Sequence, residues 1–180
     1  MARSRGIRFF DLESYYNMME RNNYRLVNGL SKIRAFKDVK VTVDVWVNYH
    51  GDVVTARKIG DNIYSLNRRS VRPISKGKSS GTGLELRVTI CGKSIPVQKL
   101  VVLAYPEICG VLKDGYDIHH INRDHLDNSP YNLLACNKRL HKAIHYMINE
   151  FANDKSGNLN IDDYKRAVLY ARFKTEVLNG

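Results

Sequence analysis

The sequence predicts an α+β fold with N-terminal helices, a small β-rich module, a histidine-rich strand–loop–strand–helix unit and a C-terminal helix. Three observations predict it. Apolar residues recur at helical spacing near both ends, β-branched residues alternate in the middle, and five of the six histidines fall between residues 119 and 145. The parts are expected at 1–38, 39–106, 107–151 and 152–180.

Residues 9–35 place Leu12, Tyr15, Tyr16, Met19, Leu26, Leu30 and Ile33 near helical spacing, with a break at Asn22-Asn23. From Val39 to Val54 the run VKVTVDVWV alternates, and His50-Gly51-Asp52 marks a turn. Further strands are expected at Asp52–Ala56 and Ile63–Leu66. Asn67–Gly83 is basic and rich in Ser and Gly, so it is expected to be a loop. Strands return at Leu84–Ile90 and Lys93–Val97 around a Cys91-Gly92 turn, and a short helix over Gln98–Ala104 stops at Pro106. Asp117–Ile121 and Asn132–Cys136 predict two strands around a polar loop. Asn137 is the expected N-cap of a helix over 137–150. The last helix, 161–178, carries apolar residues on two sides, Tyr164, Val168, Ala171 and Leu178 on one and Leu169, Tyr170, Phe173 and Val177 on the other. Such a helix is sandwiched or meets a partner. Packing on the N-terminal helices is expected, with a homodimer as the alternative.

The chain of 180 residues has 29 Lys and Arg against 18 Asp and Glu, a net charge of +11. Neutralising phosphates releases condensed counterions, so this excess favours a nucleic-acid partner. Arg68, Arg69, Arg72, Lys76 and Lys78 in the basic loop are the first backbone-contact candidates, and Lys138, Arg139 and Lys142 are the second. No run of about 18 apolar residues exists to span a membrane, and Arg3, Arg5 and Arg8 flank no apolar stretch of a signal peptide. Cys91, Cys109 and Cys136 are far apart and form no CxxC zinc pair, which fits a reducing cytoplasm. Gly92-Lys93-Ser94 resembles part of a P-loop, but Arg87 stands where its first glycine belongs. Residues 152–163 resemble an EF-hand loop, yet begin with Ala152 and end with Asp163 in place of Glu.

His141 and His145 are four apart, hence on one helical side, where two imidazoles can share one cation. His119 and His120 are adjacent in a strand and point to opposite faces. One of the pair can bind metal while the other moves protons, the two roles that phosphodiester hydrolysis needs. Imidazole suits proton transfer because its ordinary pKa lies near neutrality.

The stretch DIHHINRDHLDNSPYNLLACNKRLHKAIH closely resembles the signature of the HNH endonuclease family. VQKLVVLAYPE resembles the segment that precedes it in phage homing endonucleases, and VWVNYHGDVVTARKIGD more loosely resembles their upstream β module. The resemblance covers about residues 45–148. It implies a ββα-metal (HNH) catalytic unit and hydrolysis of double-stranded DNA with one divalent metal ion (Mg2+, Mn2+, Zn2+ or Ni2+). By the same resemblance His119 and His141 are metal ligands and His145 a third. His120 is the general base, and Asn132 holds the loop and orients His120 by hydrogen bonding. Gln98 departs from the pattern, standing where homing relatives usually have His. A phage or mobile-element homing endonuclease, working in the host cytoplasm, is the implied function. The alternatives are a catalytically silent DNA-binding protein on the same fold and a non-specific toxin or defence nuclease.

Overall fold

The computed structural model describes residues 8–9, 11–37, 39–61, 63–75, 83–154 and 159–177. Helix and sheet are mixed, as an α+β chain requires. A two-residue strand, β1 (Arg8–Phe9), precedes the first helix, α1 (Leu12–Arg21). The helix starts where the Asp11 carboxylate accepts from Ser14 N at 2.6 Å. It ends early, because Asn23 turns left-handed with φ 59°. The expected helix over 9–35 is therefore corrected to α1 alone. After it, Tyr24–Leu26 forms strand β2, and the chain continues through two short 3-10 turns at Leu30–Lys32 and Arg34–Phe36. Local spacing favours helix there, but the chain turns at Asn23 and Tyr24–Leu26 pairs with a longer strand, a tertiary contact that overrides local preference.

That longer strand is β3 (Asp44–Asn48), which starts later than Val39. With β1, β2, β4 (Val53–Gly60) and β5 (Ile63–Arg69) it makes a five-stranded antiparallel sheet in the order β1-β5-β4-β3-β2. Alternation gives this sheet two apolar faces. Trp46, Val54, Tyr64 and Leu66 meet Tyr15 and Met19 of α1 on one side, and Val45, Val47 and Val53 join the main core on the other.

A second sheet follows, β6-β7-β8, from Val71–Ser75, Leu84–Ile90 and Lys93–Pro96. Arg68, Arg69 and Arg72 thus stand in β5 and β6, correcting the loop expected from residue 67 onward. The basic composition masks two strands whose register is set by Val71 opposite Val88 and Val53 opposite Arg69. Lys76 and Lys78 lie outside the described residues. Cys91 and Gly92, with φ of 47° and 73°, make the expected tight turn. Cys91 is exposed, while Cys109 and Cys136 are buried.

Helix α2 (Val97–Ala104) is buried nearly all round and forms the centre of the main core. Pro106 opens a further turn, α3 (Pro106–Cys109), a position where its missing N–H costs nothing. Strands β9 (Asp117–His120) and β10 (Leu133–Cys136) pair antiparallel, His119 opposite Leu134 and His120 opposite Leu133. Asn137 Oδ1 accepts from Leu140 N at 2.8 Å at the start of α4 (Lys138–Asp154). A smaller core joins Leu140, Ile144, Met147 and Ile148 of α4 to Leu134 and Cys136 of β10. It also takes Ala167, Val168 and Ala171 from α5 (Ile161–Arg172). The last helix therefore packs on α4, not on the N-terminal segment, and its other side leaves Leu169, Tyr170 and Phe173 exposed. No helix among the described residues is long and apolar enough to cross a membrane.

Candidate active site

The loop between β9 and β10 owes its shape to short polar side chains that bond their own backbone. Asn122 Oδ1 accepts from Asp124 N, Asp124 Oδ1 from Leu126 N and Asp127 Oδ1 from Ser129 N, all at 2.8–3.0 Å. Asn132 closes the loop: its Oδ1 accepts from Asn122 N at 2.9 Å and its Nδ2 donates to Asp127 O at 2.8 Å. Both ends of that carboxamide are thus engaged in holding the loop. The carboxamide that faces His120 belongs to Asn128, with Oδ1 3.2 Å from His120 Nε2. Asn128 thus takes the position beside His120 that the sequence suggests for Asn132. Asn128 is itself packed beneath the β3–β4 turn. At Gly51, with φ +79°, an added Cβ would lie 3.1 Å from Val97 Cγ1 and 3.6 Å from Asn128 Cβ, so the turn can approach α2 and the loop closely.

The two adjacent histidines face opposite ways. His119 turns toward α4, its ring 5.2 Å from that of His141 and 5.0 Å from that of His145. His120 turns toward the loop, where the His125 ring lies edge-on at 4.8 Å. One donor atom from each of His119, His141 and His145 falls within 4.8 Å of the other two. The Nε2 atoms of His141 and His145 are 3.2 Å apart. Donors about 2.0–2.1 Å from a tetrahedral cation stand about 3.3 Å from one another, so this spacing fits a shared ion. His119 Nε2 is buried without a hydrogen bond among the described residues, a cost that a cation would remove. The remaining nitrogen of His141, Nδ1, lies 3.3 Å from Asp117 Oδ2. A carboxylate behind a ligating imidazole orients it and raises its basicity.

Electrostatics favour the neutral, ligating form. Burial pushes His119 down to about 3, helped by His145 and His141. His145 is also lowered, first by burial and then by His141 and Arg123. Metal ligation needs imidazoles without the extra proton, so the donor set suits a divalent cation. The buried thiols of Cys109 and Cys136 are pushed up to about 12 and about 11 by burial, which leaves them protonated and inert.

The basic candidates are spread out. Lys138, Arg139 and Lys142 are exposed on the first turns of α4, beside the cluster in sequence. Arg69 and Arg72 line a separate hollow with Arg87 and Ser94 that includes none of the histidines. Arg68 pairs with Asp52 at 3.2 Å, and Arg69 Nε donates to Thr55 Oγ1 at 2.7 Å. Gln98 lies in a groove wall shared with His141, its Oε1 buried without a hydrogen bond among the described residues.

Three convergent imidazoles on a strand–loop–strand–helix unit make a cluster that could hold a divalent cation. Residues 100–143 match the family model for HNH endonucleases. The matched span takes in His119, His120, Asn132 and His141 and ends short of His145. This supports the HNH family for that part of the chain and a nuclease role, in a family that acts on DNA and generally uses a divalent metal. No curated protein and no solved structure matches the chain.

Proposed function

We propose that the chain is a metal-dependent DNA endonuclease in which β9, β10 and α4 form a ββα-metal catalytic unit. The observation that carries this reading is the split of the adjacent pair, His119 toward His141 and His145, His120 toward Asn128 and His125. His119, His141 and His145 would hold one divalent cation. Bound there, the ion would neutralise charge on the phosphate and on the departing oxygen. Imidazole donors favour zinc, nickel or manganese for tight binding, with magnesium to be tried for turnover.

His120 acts as the general base. Asn128 Oδ1 accepts from Nε2–H, so Nδ1 takes the proton of the attacking water. His120 is 2% exposed, so the attacking water would have to enter as the loop carrying His125 moves aside. Asn132 keeps that loop in register. Double-stranded DNA is held by Arg68, Arg69 and Arg72 of the two sheets, by Lys76 and Lys78, and by Lys138, Arg139 and Lys142 of α4, through phosphate contacts that position without specifying. One centre per chain cuts one strand, so a monomer nicks. The resemblance of VQKLVVLAYPE and the upstream β module supports a phage or mobile-element homing role.

Plasmid nicking and calorimetric metal binding test this together. His120→Ala should keep the metal and slow nicking by roughly 10²–10⁴, the range for a positioned proton acceptor. His141→Ala should lose both metal and activity. The opposite pattern reverses the assignments, and unchanged nicking in both variants places the active site elsewhere.

A further inference from the structure

A groove of about 510 Å³ opens beside the histidine cluster, and His141 belongs to both. Four cations line it, from three stretches of chain. Lys32 and Arg34 come from the two 3-10 turns, Lys99 from α2 and Lys113 from the segment leading to β9. Lys32, Arg34 and Lys113 are exposed and Lys99 is half-buried. Against them stand Asp114 and Asp117, and Asp117 is already turned to His141 Nδ1 at 3.3 Å. None of the four cations makes an ion pair among the described residues, Lys113 only resting 5.9 Å over the Tyr116 ring.

Like charges gathered around one concavity repel unless a polyanion enters it, and low-dielectric walls focus their field into the groove. Four donors spread along an open groove from three stretches of chain match a repeating line of phosphates better than one phosphate group, which needs donors converging on a point. The candidates named earlier are partly committed elsewhere, Arg68 to Asp52 and Arg69 to Thr55. We propose that this groove carries the sugar–phosphate backbone of the DNA strand next to the phosphate being cut, delivering it past His141 to the metal cluster. The proposal rests on the nuclease reading and adds to it a strand path and the residues that hold it.

The test measures duplex binding by fluorescence anisotropy across about 50–200 mM salt, with metal present and with His120→Ala as the background to prevent cleavage. Lys32→Ala, Arg34→Ala and Lys113→Ala are combined in one variant. A control removes the same number of exposed charges from other surfaces, with Arg57→Ala, Lys58→Ala and Arg166→Ala. The groove variant should bind roughly tenfold or more weakly, and its plot of log affinity against log salt should flatten by nearly one for each phosphate no longer neutralised. The control should change clearly less. Metal binding by the groove variant, measured by calorimetry, should be unchanged, which also shows that the site is folded. Lys32→Arg combined with Lys113→Arg keeps the charge and should keep the affinity. Equal losses in groove variant and control overturn the strand path while leaving the nuclease reading standing. Failure of the His120→Ala chain to bind duplex at any of these salt levels overturns both.

Discussion

His141 Nδ1 is held by the Asp117 carboxylate and His120 Nε2 by the Asn128 carboxamide, so each ring has its second nitrogen aimed by a partner that differs in charge. A carboxylate strengthens a ligand for a cation through its charge, whereas a neutral carboxamide chiefly fixes the tautomer. The two partners should therefore fail differently. Asp117→Asn should weaken metal affinity by about 10–100-fold, the usual cost of a lost outer partner. Asn128→Ala should leave affinity nearly intact and lower the nicking rate, and calorimetry beside nicking separates the two. If Asn128→Ala releases the metal instead, the loop is holding the cluster and not the base. Neither partner stands out in the sequence. Asp117 carries one signal, the strand face it shares with His119 by alternation, which does not by itself name it as the partner of His141. Asn128 has no such signal. Its position depends on a loop folded by three successive side-chain turns and on the close approach that Gly51 permits, and neither follows from spacing.

Helix α4 presents His141 and His145 from one side while its other side is buried on β10 and α5. The shared side of the two histidines was legible, because a spacing of four places side chains together on any helix, but the packing of α5 was not, since its two apolar sides name no partner. The strands at 24–26 and 67–75 were not. Their residues carry helical spacing or basic charge, and only pairing with distant partners makes them strands. The placement of α4 depends on its core packing, and Ile144 is fully buried there. Ile144→Ala should cost about 2–5 kcal/mol of stability, read by thermal or denaturant unfolding. Because Ile144 adjoins His145 and follows His141 by less than a turn, the same variant should also weaken metal binding. Lost stability with unchanged affinity would mean that the two histidines are positioned by β9 alone.

For the molecule as a whole, the histidine cluster links folding to acidity. His119 is lowered to about 3 from an ordinary 6.5, so between those values the unfolded chain binds a proton that the folded chain does not. Stability of the metal-free protein should be level above pH 6.5 and fall as pH drops below it, by about 1.4 kcal/mol per unit from this group. His145, also lowered, adds in the same direction. Urea unfolding in chelator at a series of pH values measures it, and His119→Gln should flatten the slope. Added metal should raise stability near neutrality by mass action and steepen the acid loss, since protons compete for the same nitrogens.

The order β1-β5-β4-β3-β2 places the two strands nearest the start of the chain on the two outer edges of the large sheet. Arg8–Phe9 pairs with Ser65 and Tyr64 of β5 and Tyr24–Leu26 with Asn48, Val47 and Trp46 of β3, and α1, between them in the chain, lies over Trp46. A shortened protein beginning at residue 39 would keep every histidine of the cluster, yet lose these pairings at both sheet edges and uncover the aromatic face beneath α1. Such edges pair with one another between molecules, so trimming toward the catalytic segment should yield aggregates, and the leading residues serve as the selvedge that keeps this sheet from joining its neighbours.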